Sequence, residues 1–172
     1  MNSSLLLNSF PLLLQGALMT VKIAVVAMAI GVSCGVLVGI LNCKKLRIPG
    51  ISHVIELYIL ILRGTPMYVQ VLLAYYVLPE IIGVNLSPFV AGVLALGCNS
   101  VAYVSEIVRG GINAIPAGQW DACHVLGYSQ SEAVRFVIAP QALRNVLPSL
   151  VNELIVLVNP YYHPLEVVYH IL

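Results

Sequence analysis

Apolar residues in this chain run on for twenty positions and more, and short polar intervals separate the runs. The first covers residues 17–41, long enough to cross a bilayer, since about 20 apolar residues suffice. It carries Gly31, Gly35 and Gly39 at four-residue spacing, with Ser33 and Cys34 beside them. Small residues at that spacing let two membrane helices approach closely. Lys22 sits near one end of the run, where a long cationic side chain snorkels to the headgroups. Residues 1–14 are apolar but lack a basic leader and a small-residue cleavage site. They are expected to be a retained segment.

Lys44, Lys45 and Arg47 follow at once. Positive charge in a short loop marks the cytoplasmic side, which places the N-terminus outside. The next apolar stretch, 51–82, contains Arg63-Gly64-Thr65-Pro66. Proline lacks an N–H and pushes the preceding residue out of the helical region, so a kink or break is predicted there. A helix on the cytoplasmic side is expected before Arg63 and a spanning helix after it. The loop to Pro88 carries Glu80 and no Lys or Arg, as an outside loop should. A third span is predicted over 88–108, where Gly92 and Gly97 serve packing. Asn99 and Ser100 lie at mid-depth and should face protein or a water-filled path. Glu106 and Arg109 are three apart and form a candidate pair at the inner end. A fourth, short span is predicted over 146–158, with Asn152 and Glu153 inside it. After it, Asn159-Pro160-Tyr161-Tyr162-His163-Pro164 breaks any helix, and 165–172 is a brief apolar tail.

Between the third and fourth spans lies a polar region, 110–144, which includes Gln119-Trp120-Asp121-Ala122-Cys123-His124-Val125-Leu126-Gly127 and closes at Val137-Ile138-Ala139-Pro140. Pro116 and Ala117 suit a helix start, and Gly118 and Gly127 suit turn or cap positions. Ser129-Gln130-Ser131-Glu132 offers a capping box. Two short helices joined at Gly127 are expected, with Arg135 and Arg144 holding the region in the cytoplasm. A bare connector needs only a few residues. Trp120, Ala122, Val125 and Leu126 at helical spacing suggest an exposed docking knob instead.

Composition fixes the class. Of 172 residues, 60% are hydrophobic and 9% charged, with mean hydropathy +0.97. Ordinary soluble domains carry about 25% charged residues, so this is an integral membrane protein. The net charge of +1 argues against nucleic acid as a partner. Cys34, Cys43, Cys98 and Cys123 have no CxxC spacing and no His at ligand spacing, so no metal site, cofactor or disulfide framework is expected.

The polar region resembles the EAA loop of permease subunits of bacterial ABC importers. That pattern is Glu-Ala-Ala, three residues, Gly, nine residues, then Ile-x-Leu-Pro. Here Asp121-Ala122-Cys123 is followed after three residues by Gly127, and after nine more by Val137-Ile138-Ala139-Pro140. Around it, Leu62-Arg63-Gly64-Thr65-Pro66 with Val69-Gln70 is similar to polar amino-acid permeases of the glutamine, histidine, arginine and cystine type. So are Glu106-Ile107-Val108-Arg109-Gly110-Gly111-Ile112, Pro140-Gln141-Ala142-Leu143-Arg144, Leu147-Pro148 and Asn152-Glu153. The resemblance covers residues 16–158 and divides the chain into a transmembrane permease domain, 1–158, with a cytoplasmic coupling loop at 110–144, and an atypical tail, 159–172.

The resemblance implies an all-α, MetI-like helical bundle in the bacterial inner membrane, of about four spans here, with the family's last span missing from an apparently shortened C-terminus. It implies a second permease, identical or related, a cytoplasmic ATP-binding subunit gripping the loop, and an extracytoplasmic amino-acid-binding protein. It assigns ATPase coupling to Asp121, Ala122, Cys123, Gly127 and Pro140. No G-x-x-x-x-G-K-[ST] phosphate loop occurs in the chain, so ATP belongs to the partner and the chain is not itself an enzyme.

Glu153 is the candidate substrate residue, with Asn152, Asn99 and Ser100 as polar neighbours. A carboxylate inside a span costs about 2.5–3.5 kcal/mol on insertion scales and is kept for pairing or for a wet path. A structural pair with Lys or Arg stays open beside the substrate role. Arg63, with Pro66, is expected to anchor the kink. Two other readings remain: a non-transporting, degenerate subunit or membrane scaffold, and a secondary transporter, whose inverted repeats the sequence does not offer.

Overall fold

The structure, a computed structural model, describes residues 3–46 and 50–158. Among these residues every regular element is a helix. Arg47 of the basic cluster and the tail from Asn159 lie outside the described residues. The first apolar run belongs to a longer helix, α1 (Ser3–Leu41), which continues through Pro11. α2 (Ile51–Gly64) and α3 (Met67–Leu72) meet at the predicted break, and α3 runs on through a π-turn, π1 (Leu73–Val77), into α4 (Leu78–Ile82). Next come α5 (Pro88–Asn113) and α6 (Ala117–Val125), then α7 (Gln130–Glu132), a second π-turn, π2 (Ala133–Ile138), and α8 (Ala139–Val158).

The glycine stripe does what its spacing predicts. A Cβ on Gly31 would land on the side chain of Ser100, one on Gly35 would lie 2.8 Å from Val104 Cβ, and one on Gly39 would lie 2.6 Å from the Ser105 carbonyl and 2.8 Å from Val108 Cβ. Each of these three glycines thus meets α5 through a residue 69 positions further on, and so does Lys44, whose backbone N–H donates to Asn113 Oδ1 at 3.1 Å. Contacts that advance together on both helices mean that α1 and α5 run parallel.

Parallel spans joined by a continuous chain require a return pass between them. α2 with the α3–π1–α4 helix supplies it: together they have span length and apolarity, with a 105° bend at the break. Gln70 of α3 bonds Asn99, and Val71 and Ala74 join the cluster that holds Ala91, Ala95 and Phe89, so the later half lies toward the start of α5. By length and composition, α1 (over Leu14–Leu41) and α5 are spans on their own, and the bent pair makes a third.

The expected fourth span is less apolar than the others. α8 runs antiparallel to α5: Gly111 packs on Val146 and the Ala142 carbonyl, while Asn99 shares a cavity with Val156 and Leu157. It does not qualify as a span on apolarity alone, because Arg144, Asn152 and Glu153 interrupt it. Of these three only Glu153 is buried by the bundle; Arg144 and Asn152 are exposed.

Both π-turns end two residues before a proline, Pro79 and Pro140. A proline inside a helix gives no N–H to the carbonyl four back and crowds it. Widening the turn lets the residue just ahead donate five back: Leu78 to the Leu73 carbonyl, Ala139 to the Val134 carbonyl. The second of two short helices expected in the polar region is therefore not short. It starts at Gln130 and passes Pro140 without closing, through α8 to Val158.

Two apolar cores result. One joins Ile23, Ala27, Val71 and Leu96 in the half of the bundle where α5 begins. The other joins Val104, Ile112, Trp120, Ile138 and Val146 in the half that carries Lys44 and Lys45.

Candidate functional site

The break after α2 is held open by side chains. Thr65 (φ −108°, ψ 142°) and Pro66 (φ −60°, ψ 135°) are extended, as a residue before proline and the proline itself require. The carbonyls released from α2 still need donors. Thr65 Oγ1 donates to the Ile61 carbonyl at 2.9 Å. The Gln70 amide donates to the Leu62 carbonyl at 2.7 Å and the Thr65 carbonyl at 3.1 Å. Asn99 Nδ2, from α5, reaches the Leu62 carbonyl at 3.3 Å and Gln70 Oε1 at 3.2 Å. Gln70 is thus the clamp of the break. Its role was not visible in sequence, because its partners lie up to 29 positions away.

The break opens on a cavity of about 740 Å³ bounded by Thr65, Met67, Asn99, Tyr103, Asn152 and Glu153. Tyr103 lies ten residues before the end of α5, about 15 Å at 1.5 Å per residue. That is half the ~30 Å thickness of a hydrocarbon core. Irregular backbone at such depth is tolerated only where it is buried in protein or lines a wet cavity. Glu153 is only 8% exposed, and among the described residues no hydrogen bond or ion pair reaches its carboxylate. Asn99, Asn152 and Glu153 come together here. Ser100 does not: it is buried against Gly31 and Met28 in the α1–α5 contact. Successive helix residues point about 100° apart, so Asn99 and Ser100 cannot serve one face.

Arg63 ends α2 at the cavity's edge. Its Nη1 lies 3.6 Å from Glu106 Oε2, and its guanidinium stacks 4.8 Å from the centre of the Tyr103 ring. Arg109 grips the same carboxylate with two bonds, Nε to Oε1 at 2.7 Å and Nη2 to Oε2 at 2.6 Å. The expected Glu106–Arg109 pair is present, and through it Arg63 ties the end of α2 to α5. The break has two anchors, Arg63 outside and Gln70 within.

At the basic end of the bundle, α6 begins after Pro116 and ends at a Schellman turn. Tyr128 N–H donates to the Cys123 carbonyl at 3.0 Å, and Gly127 N–H to the His124 carbonyl at 3.1 Å. Gly127 sits at φ +79° with open space around it, so the constraint on this position is backbone conformation alone. Gly118 is no turn; it lies in the first turn of α6.

The expected knob is rotated. Trp120 is 4% exposed and belongs to the core, while Val125 and Leu126 are 87% and 73% exposed. Cys123 is buried with Trp120 and presents nothing to a partner; Asp121 and Ala122 face outward. Pro140 is the second residue of α8, ten residues into the continuous helix that starts at Gln130. Gln130 Nε2 donates to the Lys45 carbonyl at 2.8 Å, so the basic loop and the polar region form one surface. Among the described residues no group of three His, Cys, Asp or Glu side chains comes together as metal ligands.

The capping box forms as its residues predict. Ser129 N–H donates to Glu132 Oε2 at 2.9 Å, and Glu132 N–H to Ser129 Oγ at 3.4 Å. The Ser129 hydroxyl first, and its backbone N–H second, hold the Glu132 carboxyl below its usual range. A depressed folded-state pKa stabilises above the unfolded value, about 4.3, and that stabilisation is lost as pH falls through the folded value. Amide exchange at Ala133 and Val134 should therefore quicken below about pH 4 by this route. Glu132→Gln should exchange faster at neutral pH and lose the acid-side change; an unaltered acid-side profile in the variant would exclude the carboxylate as its source.

Comparison with known proteins gives a consistent set of likenesses. The sequence profile described as binding-protein-dependent transport system inner membrane component matches residues 31–165. The arginine transport system permease protein ArtQ of Bacillus subtilis (strain 168) is 40% identical over 147 residues, 86% of this chain and 66% of that protein. The glutamine transport system permease protein GlnP of Escherichia coli (strain K12) is 40% identical over 149 residues, 86% of this chain and 67% of that protein. The chain thus spans about two thirds of the length of these relatives. A solved amino acid ABC transporter with histidines superposes with a TM-score of 0.86 at 38% identity, covering 98% of this chain and 77% of that one. The inward-facing MetNI methionine ABC transporter gives 0.75 at 22% identity over 94% of this chain and 74% of that one, a likeness of fold alone. The all-helical, MetI-like membrane bundle expected from the sequence agrees with both.

Proposed function

We propose that this chain, which belongs to the family of binding-protein-dependent transport system inner membrane components, is the membrane-spanning subunit of an ATP-driven amino-acid importer. The observation that carries the reading is the broken helix at mid-depth. It opens on a cavity that holds one unpaired carboxylate, Glu153, beside Asn99 and Asn152. Discontinuous helices at this depth are where transporters bind their cargo. A buried carboxylate without a partner suits the α-ammonium of an amino acid, or a cationic side chain. The relatives are described as arginine and glutamine permeases, which fits a polar amino acid as cargo.

Energy comes from a partner. The outward face of α6, with Asp121, Ala122, Val125 and Leu126, is a short helix at the basic end of the bundle, suited to the groove of a cytoplasmic ATP-binding subunit. Gly127 sets the exit of the chain from that helix. Lys44 and Lys45 support a cytoplasmic position for this end and an outside position for the start of α1 in a bacterial inner membrane. A second permease, identical or related, completes the path, and an extracytoplasmic binding protein delivers the amino acid.

The test is co-purification in mild detergent with the ATP-binding subunit encoded beside it, followed by uptake in vesicles. A non-glycine residue in the left-handed region costs roughly 1–2 kcal/mol, and Asn tolerates it better than others. Gly127→Val is expected to lose most of the bound ATP-binding subunit while reaching the membrane at wild-type level, and Gly127→Asn to keep it. Wild-type chain that binds the subunit yet supports no ATP-dependent uptake would favour a scaffold; uptake without ATP would favour a secondary transporter.

A further inference from the structure

One charge at the edge of the first cavity is held loosely. Arg63 Nη1 lies 3.6 Å from Glu106 Oε2, near the limit of an ion pair, and the Arg63 side chain is 42% exposed. Arg109 holds the same carboxylate with two bonds, of 2.7 and 2.6 Å. Bidentate pairing is the strong form, so Arg63 can leave Glu106 without stranding its charge. Arg63 also stacks on Tyr103, 4.8 Å from the ring centre, and Tyr103 and Glu153 bound one cavity. Among the described residues, Arg63 is the cation whose field acts on the Glu153 carboxylate.

The charges around the two sides of Arg63 are unequal. Among the described residues, Glu153 is the charged group that lines the first cavity. A second cavity beside it, of about 470 Å³, is lined by Glu56 and Glu106 against Arg63 and Arg109. The second cavity is therefore balanced by itself, and the carboxylate in excess is the buried one. A cationic group of the cargo on Glu153 would balance the first cavity too. Without cargo, an unpaired buried carboxylate is the costly arrangement. A turn of the Arg63 side chain across the Tyr103 ring relieves it, because Glu106 stays paired with Arg109.

We propose that Arg63 is a counter-ion switch for the cargo cavity. Over Tyr103 and beside Glu106, the position in the structure, it leaves Glu153 open to cargo. Once cargo has left, it turns to Glu153 and holds that carboxylate until the next cargo displaces it. An internal cation that competes with cargo weakens rebinding from the side of release. The switch rests on the reading of the chain as an amino-acid permease and adds to it a residue that governs how readily the site empties.

The complete importer, with its ATP-binding subunit and its binding protein, is reconstituted in vesicles. The cargo is taken as whichever standard amino acid the wild type accumulates with ATP. Equilibrium binding of that labelled amino acid to the detergent-solubilised importer, without nucleotide, is then measured. Arg63→Gln should bind about tenfold more tightly, since a competitor that occupies about nine in ten empty sites raises the apparent Kd by that factor. Arg63→Lys, which keeps the charge, should stay near wild type. Glu106→Gln frees Arg63 from its present partner and should weaken binding severalfold. In a Glu153→Gln background, Arg63→Gln should change nothing further, because the pair it removes is already gone. An Arg63 that only anchored the break would make Arg63→Gln and Glu106→Gln shift binding in the same direction. That result overturns the switch, as does a tightening that persists in the Glu153→Gln background. Should Arg63→Gln fail to assemble, Glu106→Gln decides: binding as tight as wild type, or tighter, overturns the proposal. Wild-type vesicles without ATP-driven amino-acid uptake would remove the permease reading and the switch with it. Wild-type uptake with binding unchanged in Arg63→Gln removes the switch alone.

Discussion

Gly31→Ala is expected to cost the bundle about 1–3 kcal/mol, the usual range for forcing atoms into a filled core, and Gly31→Leu to prevent assembly. The added Cβ would coincide with the Ser100 side chain and lie 3.2 Å from the Ser100 carbonyl carbon. Backbone cannot retreat as the end of a flexible side chain can, so the two helices would have to part along the whole line from Gly31 to Gly39. The pair Gly31→Ala with Ser100→Gly removes the side-chain overlap and should recover more than half of the loss. The thermal midpoint of the detergent-solubilised chain is the measurement. A Gly31→Ala midpoint equal to wild type would mean that α1 does not rest on α5 as described. Close approach between such helices replaces the hydrophobic drive that lipid cannot supply, so the effect should exceed that of removing an apolar residue from the lipid-facing side of α1.

Glu153→Gln is expected to have the largest effect on transport with the least on structure. The side chain keeps its shape, and no ion pair is broken. A hydrogen bond to a charged group is worth about 1.5–3 kcal/mol, so the apparent affinity for amino acid should fall roughly tenfold to a hundredfold. Membrane level and thermal midpoint should match wild type or rise, because an unpaired buried charge is removed. Asn152→Ala should act in the same direction, more weakly. Uptake kinetics unchanged in Glu153→Gln would return that carboxylate to a structural role.

Much of the architecture could be read from residue order, and the exceptions share a cause. Local signals carried through: the Gly31–Gly35–Gly39 stripe, the break at Thr65-Pro66, the Glu106–Arg109 pair, the Ser129–Glu132 box and the left-handed Gly127 all depend on residues within a few positions. Features set by a distant partner did not. Gln70 reads as one polar residue in an apolar run until Asn99 of α5 is beside it. Trp120 was expected outside because α6 carries apolar residues on both sides, and only the position of Ile138 and Val146 decides which side turns in. Ser100 fails as a neighbour of Asn99 for a geometric reason that spacing already contained. Pro140 closes the polar stretch in the sequence, yet the helix runs on through it; the π-turn ahead of it is a solution that propensity does not foresee.

That π-turn has a consequence for how this segment tolerates change in length. In an α-helix, losing one residue rotates everything after it by about 100° and turns each buried side chain of the later part away from its neighbours. A π-turn already holds one residue more than the α-helical path between its ends needs. Taking a residue out of Ala133–Ile138 would collapse the wide turn to a normal one and leave Ala142, Val146 and Glu153 facing the bundle as before. Within a helix that runs from the polar region to the mid-depth cavity, this is the stretch where the loss of one residue is expected to leave the later faces unchanged.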